Sequence, residues 1–149
     1  MEHGIFLGVD ARGWVYGTIG KYREGRPWGE AWLTTYLEMG GRSRSSGAKG
    51  CPMAAARTLY EHGRIRDTGR PYLDWDIDEL WGRSRNGTYA MLAIRLLCEE
   101  PGLDKVGLWA RIRDAVRRGT GDEAAVSNQG GPTLAYQLWH LGLIADSPF

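Results

Sequence analysis

The stretch from Cys51 to Trp75, CPMAAARTLYEHGRIRDTGRPYLDW, contains the clearest change of pattern in the chain. Pro52 suits a first helical turn, and apolar residues at helical spacing follow until Gly63 ends the helix. After Gly63 the chain continues with a short basic segment, the turn Thr68-Gly69-Arg70 and a strand-like alternation of residues that ends at Trp75. This order predicts two short strands. The stretch therefore predicts a helix followed by a small β-hairpin.

A helix followed by a two-stranded hairpin resembles the second half of a winged helix-turn-helix unit. Pro27 opens an earlier helix with apolar residues at helical spacing up to Met39, so residues 27–76 could supply the whole unit. This fold places one helix in the major groove of DNA and the hairpin on the phosphates. The phosphate contacts would then come from the basic residues Arg64, Arg66 and Arg70.

The rest of the chain predicts further helices. Asp76 and Asp104 are expected helix caps, and the helix after Asp104 should bury Val106, Trp109, Ile112 and Val116. Other helices are expected at about 88–99, with Tyr89, Leu92, Ala93, Leu96 and Leu97 inward, and at about 131–141. The first 25 residues are ambiguous and predict a short strand near residues 5–9, then a helix. We expect a mainly α, compact single domain of five to six helices with a small winged-helix-like β-hairpin. Its parts are an irregular N-terminal segment (1–25), the winged-helix-like unit (27–76) and a C-terminal helical part (77–149).

Two segments share one sequence pattern, and we call them the repeated frames. Residues 59–67 and 138–146 both read Leu, aromatic, two variable residues, Gly, one variable residue, Ile, one variable residue, Asp. This pattern predicts a helix ended by a left-handed glycine, with the isoleucine folded back onto the helix. A common end motif that arose twice and a duplicated unit both explain it.

Composition narrows the class of protein. The chain has 149 residues, 42% of them apolar, and a net charge of +1, so we expect a substantial core and no strongly basic nucleic-acid binder. Residues 40–70 nevertheless carry seven basic residues against two acidic ones. The start has no basic region before an apolar run, and no window is long and apolar enough for a membrane span, so a cytoplasmic protein without a membrane partner is expected.

The candidate binding residues are the basic side chains of this region. They are Arg42, Arg44, Lys49, Arg57, Arg64, Arg66 and Arg70.

The candidate reactive residue is Cys51, at a helix start near Lys49, where a thiolate would be stabilised. A small residue packed at a helix start explains Cys51 more simply, since no histidine, aspartate or asparagine stands at a diagnostic spacing to act as its partner. The Asp74-x-Asp76-x-Asp78 run lacks the glycine and the final glutamate of a calcium loop. We therefore predict no metal and no cofactor.

Several motifs together resemble a small bacterial family of uncharacterised function. They are Lys49-Gly50-Cys51-Pro52 before a helix closed by Gly63, Ser84-Arg85-Asn86-x-x-Tyr89-Ala90, Leu108-Trp109, Asn128, and Leu138-Trp139-x-x-Gly142-Leu143-Ile144. The similarity extends from about residue 27 to 144, and the first 20 residues depart from the family pattern, which has a plain helix there. The resemblance implies a helical fold and brings no activity, cofactor or catalytic residue with it.

Three functions follow from these patterns. The first is a non-catalytic helical binding module that acts through a protein or nucleoprotein partner, because aromatic residues are abundant and no catalytic set is assembled. The second is a winged-helix-like regulator that binds DNA or RNA directly. The third is an enzyme of unknown chemistry with Cys51 as its reactive residue. Neither the partner nor the oligomeric state can be inferred from the sequence.

Overall fold

The computed structural model describes residues 4–128 and 130–145, and it is mainly helical. Within these ranges a two-stranded antiparallel hairpin is followed by eight helices, one of them a single turn. They are β1 (Ile5–Phe6), β2 (Val9–Asp10), α1 (Ala11–Arg23), α2 (Trp28–Glu38), α3 (Arg44–Gly47), α4 (Gly50–Glu61), α5 (Ile77–Arg83), α6 (Arg85–Glu99), α7 (Lys105–Thr120) and α8 (Gly131–His140). None of the described helices combines the length and the apolar character needed to cross a membrane.

Helix α6 is the centre of the fold. It packs against α4, α5, α7 and α8, and its residues 87–94 are all buried. The inward positions expected from its sequence period are confirmed, since Tyr89, Leu92, Ala93, Leu96 and Leu97 all lie in the core. A helix buried around most of its circumference organises its neighbours, so α6 fixes how α4, α7 and α8 stand relative to one another.

Helices α4 and α8 lie side by side and point in the same direction. At their N-terminal ends, a β-carbon on Gly131 would lie 3.2 Å from the β-carbon of Ala55, so a side chain there would crowd the contact. At their C-terminal ends, Ile65 and Ile144 form an antiparallel bridge. The two repeated frames therefore pair with each other, and both helix starts lie at one end of the molecule.

Aromatic stacking joins α1 to α2. The rings of Trp14 and Trp32 stack with their centroids 4.2 Å apart, and Tyr36 lies 4.7 Å from Trp14. The indole N–H of Trp14 donates to the carbonyl of Trp32, which satisfies a polar group in the core. Phe6 of the hairpin approaches Trp14 at 6.0 Å, so the hairpin is attached to this aromatic cluster.

The hairpin expected after α4 is not at that place: residues 64–76 form no strand of a sheet, and the hairpin lies at residues 5–10. Ile65 pairs instead with Ile144 from the other repeated frame. The segment then turns through Asp67 and Gly69 at positive φ, and the amide of Leu73 donates to the carbonyl of His62. The expected winged unit at 27–76 is therefore corrected to the helices α2, α3 and α4 followed by an irregular strap.

Both predicted helix caps are confirmed, since the carboxylates of Asp76 and Asp104 accept hydrogen bonds from Glu79 N and Gly107 N. The N-terminal segment 1–25 was assigned as irregular, with a short strand near residues 5–9 and then a helix, and it holds the hairpin and all of α1. Val106 was expected inside, but it is 81% exposed.

Candidate functional site

A cavity of about 750 Å³ opens where the hairpin meets the N-terminal ends of α4, α7 and α8. This volume is in the range of ligand sites in proteins. The residues around it come from four separate parts of the chain: Phe6, Leu7, Lys49, Gly50, Cys51, Pro52, Lys105, Val106, Trp109, Asn128, Gly130 and Thr133. The packing around α6 brings these parts together, so the cavity is a product of the tertiary fold.

The walls of the cavity are mostly apolar. Phe6 and Pro52 supply buried surface, Trp109 is half-buried, and Val106 exposes 81% of its surface at the first turn of α7. The ring of Trp109 packs edge-on against Tyr89 with centroids 5.1 Å apart, so its position is set by the core. Val106 and Trp109 therefore belong to a concave, mostly apolar lining, which is typical of ligand sites.

The polar groups of the cavity are basic or neutral. Lys49 and Lys105 are exposed on its rim, and neither forms an ion pair with another described residue. Asn128 is oriented by two hydrogen bonds, one from its Nδ2 to Thr133 Oγ1 at 3.2 Å and one that its Oδ1 accepts from Gly130 N at 2.8 Å. No aspartate or glutamate is among the described residues that line the cavity.

The helix ends add positive potential. Neither α4 nor α8 begins with a side chain that caps its first turn, whereas Asp104 caps α7. Each helix start carries roughly half a positive charge because its backbone dipoles are aligned. Since α4 and α8 run parallel, their positive ends lie together at the cavity.

Cys51, the candidate reactive residue, lies in this cavity and is half-buried in the first turn of α4. A nucleophilic cysteine requires a nearby base to take its proton or a partner to hold the thiolate. The described lining residues include no histidine and no carboxylate. Lys49 and the start of α4 would stabilise a thiolate of Cys51, while no base stands among the described lining residues.

Arg64, predicted as a surface contact, is buried and only 5% exposed. Its guanidinium lies 3.6 Å from the centre of the Tyr72 ring and donates to the carbonyl of His62. Burial lowers the pKa of Arg64, while Tyr72 and Asp74 raise it. Arg64 therefore ties the strap after α4 to the core, where it is inaccessible to a partner.

Arg66 also has a structural contact. Its side chain is exposed, but its Nε donates to the carbonyl of Ile144 at 2.9 Å, and its carbonyl accepts a hydrogen bond from Tyr16 at 2.7 Å. The pairing of the two repeated frames thus includes this side chain.

Arg57 and Arg70 lie on a different face from the cavity, together with Arg23, which the sequence analysis did not single out. The guanidinium carbons of Arg23 and Arg70 are 5.9 and 5.0 Å from the centre of the Tyr60 ring, and that of Arg57 is 6.0 Å from Tyr22. Arg57 also pairs with Glu61, whereas Arg23 and Arg70 form no ion pair with the other described residues. We call Arg23, Arg57 and Arg70, with the two tyrosines, the arginine–tyrosine cluster.

The remaining predicted residues are Arg42 and Arg44. Both are exposed, in the connection between α2 and α3 and at the start of α3. They lie outside the cavity lining, and of the seven predicted basic residues only Lys49 belongs to it.

Sequence reasoning missed most of the cavity. Lys105, Val106 and Trp109 were assigned to a helix with an apolar inner face, and the exposed position of Val106 depends on where α7 begins. Phe6 and Leu7 lie in the hairpin that the sequence left ambiguous. The motifs quoted from the sequence do contribute Lys49-Gly50-Cys51-Pro52, Trp109 and Asn128 to the cavity, but their positions along the chain did not place them together.

Comparison with protein-family models, with curated proteins and with solved structures found no match to this chain.

Proposed function

We propose that this chain is a non-catalytic binding module that captures a segment of a partner protein in the cavity between the hairpin and the starts of α4, α7 and α8. The observation that carries the proposal is the apolar wall formed by Val106, Trp109 and Phe6 beside a cavity of about 750 Å³. A cavity of this size accepts one or two large side chains of a bound segment. A nucleoprotein partner would be held in the same way, through its protein component.

Two features support binding rather than packing as the role of this surface. Val106 is apolar but exposed to solvent in α7. Burying its side chain against a partner would contribute about 1–2 kcal/mol to binding. The wall is also rigid, since Trp109 is held by Tyr89. A preformed site costs little ordering entropy when it binds.

The test is affinity capture on the immobilised chain, followed by measurement of the purified interaction. The protein captured from the source cell is identified, and its dissociation constant is measured with wild-type chain, Val106→Glu and Val126→Glu. Val126 is the matched control, because it is 87% exposed but lies outside the cavity. We expect Val106→Glu to weaken binding about tenfold or more and Val126→Glu to leave it unchanged. A partner held equally by both variants would place the binding surface elsewhere.

Direct nucleic-acid binding is the second candidate, and the arginine–tyrosine cluster is the observation that favours it. Three guanidinium groups from α1, α4 and the strap after α4 surround Tyr22 and Tyr60. Arginine with aromatic rings is a combination found where single strands are bound. Here the three arginines would contact phosphates, and the half-buried Tyr22 would stack on a base, since Tyr60 is buried.

Fluorescence anisotropy of labelled duplex and single-stranded oligonucleotides at about 50 and 200 mM salt tests this candidate. Binding should weaken steeply with salt, because neutralised phosphates release counterions, and the double variant Arg23→Gln/Arg70→Gln should abolish it. Salt-insensitive binding, or none at the lower salt, would remove the candidate.

A further inference from the structure

We propose that the segment held in the cavity is acidic as well as apolar, with a carboxylate placed between Lys49, Lys105 and the starts of α4 and α8. This inference rests on the proposed function and adds the chemistry of the ligand. Its basis is the charge of the cavity: two exposed lysines without ion-pair partners among the described residues, and no carboxylate in the described lining.

The lysines approach the cavity from two sides. Lys49 precedes the first residue of α4, and Lys105 is the first residue of α7. The ammonium group of Lys105 lies 5.7 Å from the centre of the Tyr136 ring, a contact that directs the side chain toward α8. An anion in the cavity would therefore meet positive charge from two separate parts of the chain.

The helices add to the charge of the lysines. Parallel dipoles side by side repel each other at their ends, and an anion at the shared N-terminal end relieves this repulsion. The starts of α4 and α8 are close, since a β-carbon on Gly131 would lie 3.6 Å from the carbonyl oxygen of Cys51, and neither start has a side-chain cap. A carboxylate of the partner would supply the missing acceptor.

The apolar wall and the basic rim of the cavity together favour one class of ligand. A segment with a large apolar side chain would place it against Val106 and Trp109, and an aspartate or glutamate a few residues away would reach the lysines. A neutral apolar segment would leave both lysines without an ion-pair partner. A purely acidic segment would leave the wall exposed to water. Charge and shape together favour an acidic, apolar peptide segment.

The experiment is selection from a phage-displayed library of random heptapeptides on the full chain. The best peptide is then synthesised with acetylated and amidated ends, and its affinity is measured by fluorescence anisotropy. We expect enriched peptides to combine Asp or Glu with Leu, Ile, Phe or Trp. Replacing the acids of that peptide by Asn or Gln should weaken binding about tenfold.

Two double variants provide the control. Lys49→Gln/Lys105→Gln should weaken the acidic peptide about tenfold and leave its Asn/Gln counterpart unaffected. Arg12→Gln/Arg26→Gln removes the same charge at exposed positions outside the cavity and should change neither affinity.

The outcomes separate this inference from the proposed function. Enriched peptides that are apolar but not acidic, and that Val106→Glu no longer binds, would overturn the inference and leave the proposed function standing. No enrichment, or enriched peptides that bind the Val106→Glu variant as tightly as wild type, would overturn both. Binding of dodecanoate in a case where no peptide binds would assign the cavity to a small molecule and also overturn both.

Discussion

At the residue scale, Arg64 shows how a basic side chain can serve the fold instead of a partner. Arg64→Ala removes the stacking on Tyr72 and the hydrogen bond to His62, so we expect the free energy of unfolding to fall by about 2 kcal/mol or more. Arg70→Ala, at an exposed position, should change it by less than about 0.5 kcal/mol. Urea denaturation of both variants measures the difference, and equal losses would contradict this role for Arg64.

Tyr16 gives a prediction about pH. Burial, with a smaller contribution from Asp67, raises the pKa of Tyr16, and its hydroxyl donates to the carbonyl of Arg66. The pKa of Tyr16 is higher in the folded than in the unfolded protein. The contribution of Tyr16 to the free energy of unfolding is therefore complete below about pH 10 and is lost as the pH rises through the folded pKa. We expect Tyr16→Phe to lose less stability than wild type between pH 9 and about 11. Identical pH profiles of unfolding would contradict it.

Residue-scale signals that act within one turn were readable from the sequence. Asp76 and Asp104 cap their helices as expected because the partner amide lies three residues away. The burial of Arg64 was not readable, because it depends on Tyr72 across an irregular strap. The exposure of Val106 depends on how α7 meets the cavity, which periodicity does not encode.

At the scale of elements, the two repeated helix ends differ in what surrounds their glycines. Gly63 and Gly142 both have positive φ, at 73° and 75°, but a β-carbon on Gly63 would lie 2.2 Å from the carbonyl oxygen of Pro71, while nothing lies within 4 Å at Gly142. Gly142→Ala should cost about 1–2 kcal/mol from backbone strain alone. Gly63→Ala should cost more than about 3 kcal/mol, because the backbone of the strap must move. Thermal unfolding compares them, and similar losses would be inconsistent with the close approach of Pro71.

The same repeated ends explain why the hairpin was predicted in the wrong place. An alternating run after a helix indicates a strand but does not name its partner. Ile65 pairs with Ile144, and the exchange is reciprocal: Arg66 N donates to the carbonyl of Leu143, and Ala145 N donates to that of Arg64. Both helix ends were predictable; their pairing required the tertiary fold.

At the scale of the molecule, the core and the cavity should respond separately to substitution. Leu97→Ala in α6 removes a fully buried side chain and should cost about 2–5 kcal/mol. Val106→Glu should leave stability unchanged within about 0.5 kcal/mol, because the side chain is exposed. Calorimetry of the two variants measures this contrast. A large loss from Val106→Glu would mean that the wall is part of the core.

The most direct test of the cavity as a binding site is a map of amide chemical-shift changes in the full chain as the selected peptide or captured partner is added. The proposal predicts changes concentrated at residues 49–53, 105–109 and 130–133, together with the indole N–H of Trp109. Changes concentrated at Arg23, Tyr60 and Arg70, with none around the cavity, would contradict it and assign binding to the arginine–tyrosine cluster.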